Sequence, residues 1–201
     1  MSPETPRYED LIGLWQDGGR RLAALEGRDR SAAERVVDAI VAAPVVDLYG
    51  SAGSGLAALD LQQKLRRIGY QANAWTDAHL ALTSAAVLPA DAVAIAFSHS
   101  GETEEAISAL ETAARSGALT VAVTNFPESP LAQVADAVLT TASRETRFRY
   151  GAMSSRMAQL MIVDVIFIGV AQRHPEKVSQ SLAATLAAVA SRRRPRRKTD
   201  S

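Results

Sequence analysis

The pattern of apolar and polar positions changes character at Pro44. Ahead of it, "SAAERVVDAIVAA" (31–43) sets Val36, Val37, Ile40 and Val41 at helical spacing behind Ser31 and Glu34, a capping-box pair. Further upstream, Leu11, Leu14, Trp15, Leu22 and Leu25 form a weaker amphipathic pattern, broken by Gly18 and Gly19. The first 43 residues therefore read as helix, with an apolar stripe that needs a surface to bury it.

Beyond Pro44, short apolar runs alternate with helical stretches. The pattern predicts strands over 45–49, 71–75, 92–98, 119–125 and 137–141. Between them it predicts helices over 55–69, 79–88, 102–117 and 129–135, and two more, 152–172 and 175–191, close the chain. Strands that are apolar on both faces and alternate with helices imply an α/β fold with a parallel sheet covered on both sides. There is no internal repeat. The run "MAQLMIVDVIFIGVA" (157–171) carries large side chains on nearly every face, so it belongs in a core or against a second subunit. Interrupted by Gln159 and Asp164, it is expected to be too short for a bilayer span.

In such sheets ligands sit at the carboxyl ends of the strands, near the point where strand order switches. Two loops there are unusual. After the first strand comes "GSAGSG" (50–55), and after the third comes "SHSGET" (98–103). Glycine lets backbone approach a ligand closely, and the first amides of the following helix point outward unpaired. Ser and Thr hydroxyls add donors. Neither loop contains Lys or Arg, so a phosphate here is held by amides and hydroxyls, which suits a sugar monophosphate better than a triphosphate with its metal. One such loop alone is equally a helix cap: Ser100 with Thr103 can cap, and Glu102, Glu104 and Glu105 are ordinary first-turn acids. Two loops in one sheet favour the anion cradle. The P-loop signature is absent, and "GSAGSG" does not have the dinucleotide spacing, although Asp77 stands where a ribose-binding acid would.

Composition narrows the field. The chain has 201 residues, 47 % of them apolar, enough for one substantial core. It has no cysteine, which excludes disulfides, thiolate metal sites and cysteine nucleophiles. His79, His99 and His174 are too scattered for a structural metal site, and no metal or cofactor is expected. No signal peptide is seen, so a cytoplasmic protein is expected. The net charge of zero hides an asymmetry, because "RRRPRRK" (192–198) holds six of the 22 basic residues. Residues 1–191 carry 16 positive and 21 negative charges, a net of −5. An acidic body is a poor DNA binder, and the basic tail (192–201) reads as a solvated, disordered end rather than a nucleic-acid contact.

The marks "YGSAGSG", "AIAFSHSGETEE" and "GALTVAVTNFPESPLAQVAD" resemble the sugar isomerase (SIS) domain family over about residues 36–172. Within it, "AWTDAHL" (74–80) and "RFRYGAMSSRMAQL" (147–160) are most similar to the effector domains of RpiR/MurR-type transcriptional regulators. The resemblance implies a three-layer α-β-α sandwich on a five-stranded parallel sheet, flavodoxin-like and usually dimeric, with a phosphorylated sugar or amino sugar as ligand. It implies that Ser98, Ser100 and Thr103, with the amides around Gly101, hold the phosphate. It places Ser51 and Ser54 on the phosphate or the sugar hydroxyls, and His79 and Arg156 facing the sugar. For His99 the backbone is expected to contribute more than the side chain. His79 is equally a helix cap, and Arg156 equally a salt-bridge partner, with Arg147 and Arg149 as weaker competitors.

Such regulators carry an N-terminal helix-turn-helix domain. Here residues 1–43 resemble only the linker helix, 44–191 the SIS domain, so DNA contact is expected only through a domain this chain lacks. Aldose–ketose isomerisation is the alternative activity, and it needs a general base. Glu102, Glu104 and Glu105 lie in the helix turn that would hold the phosphate, and Glu145 is the best remaining acid. Binding without turnover is the simpler expectation.

Overall fold

The computed structural model describes residues 28–141, 143 and 153–190, and the structural statements below concern these residues. Five strands, β1 (Val46–Tyr49), β2 (Ala72–Trp75), β3 (Val93–Phe97), β4 (Leu119–Thr124) and β5 (Ala137–Thr140), form one sheet. Helices α1 (Arg28–Ala42), α2 (Ala52–Arg67), α3 (Ala78–Ala85), α4 (Glu104–Arg115), α5 (Pro130–Gln133), α6 (Met153–Arg173) and α7 (Pro175–Ala190) surround it. Every strand pair is parallel and the order is β2-β1-β3-β4-β5. The expected three-layer α/β sandwich is what the chain adopts. Strand order reverses between β1 and β3, whose register pairs Tyr49 with Ala96. Their following loops, starting at Gly50 and Ser98, therefore leave the sheet side by side at its carboxyl edge.

The two faces of the sheet are packed differently. On one, Leu48, Ile95 and Val123 meet Val36 and Ile40 of α1, Leu61 and Leu65 of α2, and Ile162, Ile166 and Val170 of α6, all buried. Branched and long aliphatic side chains fill this wider space. On the other, Ala94, Ala96 and Ala122 face Ala106, Ala109, Leu110 and Ala113 of α4. Small side chains on both sides let α4 approach the strands closely.

Asp47 also points to this second face and is fully buried. A carboxylate there is tolerable only when its lone pairs are filled. Trp75 Nε1 donates to it at 2.8 Å, Asn73 Nδ2 at 3.0 Å and Ser84 Oγ at 2.5 Å, with a longer bond of 3.5 Å from the Tyr49 hydroxyl. The cluster ties β1, β2 and α3 together beneath the first loop. Burial pushes the Tyr49 phenol well above its ordinary value, and the charge and hydrogen bond of Asp47 add to the rise.

Two local expectations need correction. Helix α1 is already formed at Arg28, so Ser31 lies inside it and the capping-box pair does not mark its start. Residues 1–27, which carry the upstream stripe, lie outside the described residues, as does the basic tail. Helix α6 has the expected extent, but its segment Ser154–Arg173, expected to be too short for a bilayer span, is long and apolar enough, by length and composition alone, to cross one. In this fold Ile162, Val163, Ile166 and Val170 lie buried in the core. A side chain at Gly169 would place its Cβ 2.7 Å from Val37, so this glycine sets the close approach of α1 and α6.

Candidate functional site

A cavity of about 190 Å³ opens at the carboxyl edge of the sheet, between the two loops and the first turns of α6. It is lined by Ser51, Ala52, Gly53 and Ser54 from the first loop, and by Ser98, His99, Ser100 and Thr103 from the second. Ser155, Arg156 and Gln159 of α6 close the third side.

The first loop is built by close backbone approach. A Cβ at Gly50 would lie 2.8 Å from the Ser54 carbonyl oxygen, and one at Gly55 would lie 2.8 Å from that of Gly50. Only glycine at both positions lets the chain fold back this tightly. Ala52 then takes φ +49°, the left-handed region, an unusual position for a residue with a Cβ. Strain of this kind gathers at sites whose backbone is held for a ligand. The amides of Ala52 and Gly53 donate to no group among the described residues, whereas those of Ser54 and Gly55 return to the Ser51 carbonyl.

The second loop is held by its own side chains. Thr103 occupies the N-cap of α4, yet its hydroxyl makes no capping bond. It lies 2.8 Å from Ser98 Oγ instead. Ser98 Oγ also accepts from the Gly101 amide at 3.1 Å, and Ser100 Oγ accepts from the Glu102 amide at 3.2 Å. Helix capping therefore does not account for Thr103, and the amides of Ser100 and Thr103 donate to no group among the described residues. Glu104 turns to Ser108 on the exposed side of α4, in keeping with a first-turn acid on the solvated face.

A common polarity results. Ser100 and Ser54 each accept a hydrogen bond from a protein N–H, the latter from Gln159 Nε2 at 3.0 Å. Ser98 also accepts one, from the Gly101 amide, and shares a further hydrogen bond with the Thr103 hydroxyl. A hydroxyl backed in this way has its proton free for something in the cavity. Together with the amides left without an acceptor and Arg156 in the wall, the lining is rich in donor-bearing residues. Such a lining suits an anionic, oxygen-rich ligand.

The structure brings Ser51, Ser54, Ser98, His99, Ser100, Thr103 and Arg156 to this cavity. It does not bring His79, which sits exposed in the first turn of α3 and is not among the lining residues. His79 is not the cap either: Asp77 takes that place and accepts from the Leu80 amide at 2.9 Å, which gives Asp77 a local task in place of the nucleotide role. Gly101 also departs from expectation. Its amide is spent on Ser98, and with φ +68° it is buried, where a Cβ would come 2.0 Å from Ser129 Oγ. Its contribution is to let the loop pack onto Ser129 and Thr124. The His99 carbonyl is tied to Asn125, while its ring meets the half-exposed ring of Phe126 edge-on, 5.8 Å between centroids. Glu145, Arg147 and Arg149 lie outside the described residues.

Sequence reasoning missed Ala52, Gly53, Ser155 and Gln159. The polar interruption of an apolar helix at Gln159 was the available signal for the last of these. Among the described residues no group of His, Asp and Glu is arranged to hold a metal ion.

Comparison with known proteins agrees with this fold. The profile of the SIS domain matches residues 40–169. An uncharacterised HTH-type transcriptional regulator of Caldanaerobacter subterraneus subsp. tengcongensis is 42 % identical over 151 residues, 75 % of this chain and 54 % of that protein. The chain thus spans about half the length of this curated relative. Among solved structures, the Vibrio vulnificus NanR protein complexed with ManNAc-6P superposes with a TM-score of 0.85 at 28 % identity, over 94 % of this chain and 71 % of that one. The sugar isomerase domain of an RpiR transcription factor from Sphaerobacter thermophilus shares the fold, with a TM-score of 0.75 at 24 % identity, over 87 % of this chain and 97 % of that one. With its family profile, its regulator relative and its sheet order in agreement, the chain belongs to the SIS domain family.

Proposed function

We propose that this chain is the effector-sensing part of an RpiR-type transcriptional regulator of carbohydrate metabolism, and that it binds a phosphorylated sugar or amino sugar. The observation that carries the reading is the cavity in which Ser54, Ser98 and Ser100, from two loops, each accept from a protein N–H and whose wall includes Arg156. In this reading Ser98, Ser100 and Thr103 hold the phosphate with the outward amides of the second loop. Ser51 and Ser54 take the remaining phosphate oxygens or the sugar hydroxyls, and Arg156 supplies the one Lys or Arg cation among the described lining residues. NanR, similar in fold and sequence, was solved with ManNAc-6P, which supports an amino-sugar phosphate among the ligands to test.

The protein acts in the cytoplasm as a homodimer. Support for the dimer comes from α2 and α6, which pack side by side and leave Leu56, Leu59, Met157, Val165 and Ile168 exposed. Apolar residues in that number on adjoining helices are the usual material of a subunit interface. DNA contact belongs to a separate reader domain, and the ligand acts on it by changing how the subunits sit together.

Thermal-shift measurements with N-acetylmannosamine 6-phosphate, arabinose 5-phosphate, glucose 6-phosphate and inorganic phosphate test the reading. A ligand at 100 times its Kd stabilises the fold by about 2.7 kcal/mol. No shift with any phosphosugar, or an equal shift with the unphosphorylated sugars, rejects it. Turnover of the same panel would move the assignment to an isomerase.

A further inference from the structure

Gln159 is nearly completely buried, at 1 % exposure, although it lies in the cavity wall. Its side chain reaches from α6 to the first loop, 105 residues away in sequence, and Nε2 donates to Ser54 Oγ at 3.0 Å. Ser54 makes no other side-chain hydrogen bond among the described residues. Having accepted from the amide, the hydroxyl is left with a proton to give and a cavity in front of it.

We propose that Gln159 is a positioning residue that sets Ser54 as a hydrogen-bond donor to the ligand. In the second loop the equivalent backing comes from the loop's own amides, Gly101 for Ser98 and Glu102 for Ser100. The first loop has no such internal donor for Ser54 and borrows one from α6. A neutral amide is the right group for the task. It donates to the hydroxyl without adding charge beside an anion, whereas a carboxylate would demand the serine proton for itself. The arrangement also joins the ligand to α6, since Arg156 stands less than one turn earlier on the same helix.

The inference rests on the phosphosugar reading, and the test separates the two. Titration calorimetry uses N-acetylmannosamine 6-phosphate and inorganic phosphate on the full chain, with melting of the unliganded protein as the check of folding. Q159L is expected to weaken binding at least tenfold. Q159E is expected to weaken it at least a hundredfold at pH 8. Relative to wild type at the same pH, most of that loss should return at pH 5, where a protonated carboxyl can donate again. In an S54A background, Q159L should cost nothing further, because its only route to the ligand is gone. Wild-type affinity in Q159L, or an undiminished cost of Q159L in S54A, overturns the proposal while leaving the phosphosugar reading in place. If Q159L folds poorly, the pH dependence of Q159E decides alone. Failure of wild type to bind either probe removes the phosphosugar reading itself, and this inference with it.

Discussion

The two loops at the sheet's carboxyl edge look alike in sequence, yet they are held in opposite ways. The second orients its hydroxyls within six residues: Ser98 bonds both Gly101 and Thr103, and Ser100 takes the next amide but one. The first is shaped by backbone crowding at Gly50 and Gly55, by a left-handed Ala52, and by Gln159 reaching in from a distant helix. A hydroxyl–glycine loop is therefore not one device. Local hydrogen bonds orient the hydroxyls of the second loop, while the Ser54 hydroxyl of the first depends on a residue from a distant helix.

That contrast is open to four tests, taken from the largest expected effect to the smallest. Gly101→Ala should be the most damaging, because a Cβ meets Ser129 Oγ at 2.0 Å and Cβ at 2.4 Å in a backbone region disfavoured for alanine. A loss of about 3 kcal/mol in urea unfolding is expected, as for other overpacked core sites. Stability within 0.5 kcal/mol of wild type would contradict the tight packing of this loop. Next, the double substitution Ser98→Ala, Ser100→Ala removes the self-contained cradle. It should abolish the phosphosugar-induced thermal shift, and an undiminished shift would transfer the phosphate to the first loop.

Ala52→Gly addresses the strain in the first loop. Relieving a left-handed alanine should raise the stability of the unliganded protein by about 1 kcal/mol. A lower melting temperature would mean that the position carries no strain. The smallest effect concerns the footing of that loop. The folded Tyr49 phenol titrates above its ordinary value of 10.0, so as pH rises past that point the unfolded chain loses a proton that the folded chain keeps. Stability should decline above pH 10, fully present below it, and Y49F should flatten the decline. Parallel pH profiles for the two proteins would remove Tyr49 as the cause.

Much of the fold was legible because its signals are local. Residues 92–97 are apolar without interruption, and a strand buried on both faces results at Val93–Phe97. The helix boundaries of α2 and α4 lie within three residues of those expected from periodicity. Ser31 with Glu34 misled, because a capping pair marks a helix start only where the chain upstream is not helical, and Arg28 already is. The site was less legible. His79 stands near a strand end in sequence, but its helix turn leaves it exposed and outside the cavity wall. Gly101 was expected among the ligand-binding residues with the amides around it, but the turn directs its own amide onto Ser98.

By itself the sequence determined the alternation of strands and helices, the parallel sheet, and the two small-residue loops at the switch of strand order. These follow from side-chain periodicity and backbone freedom, which act over a few residues. Only the tertiary structure decided which hydroxyls share a cavity, that His79 stays out of it while Arg156 stands in its wall, and that Gln159 backs Ser54 across 105 residues. Hydrogen-bond polarity needs a partner at about 3 Å in a set direction. Which residues come that close depends on how α6 packs against the sheet and α2, and periodicity along the chain carries no record of that.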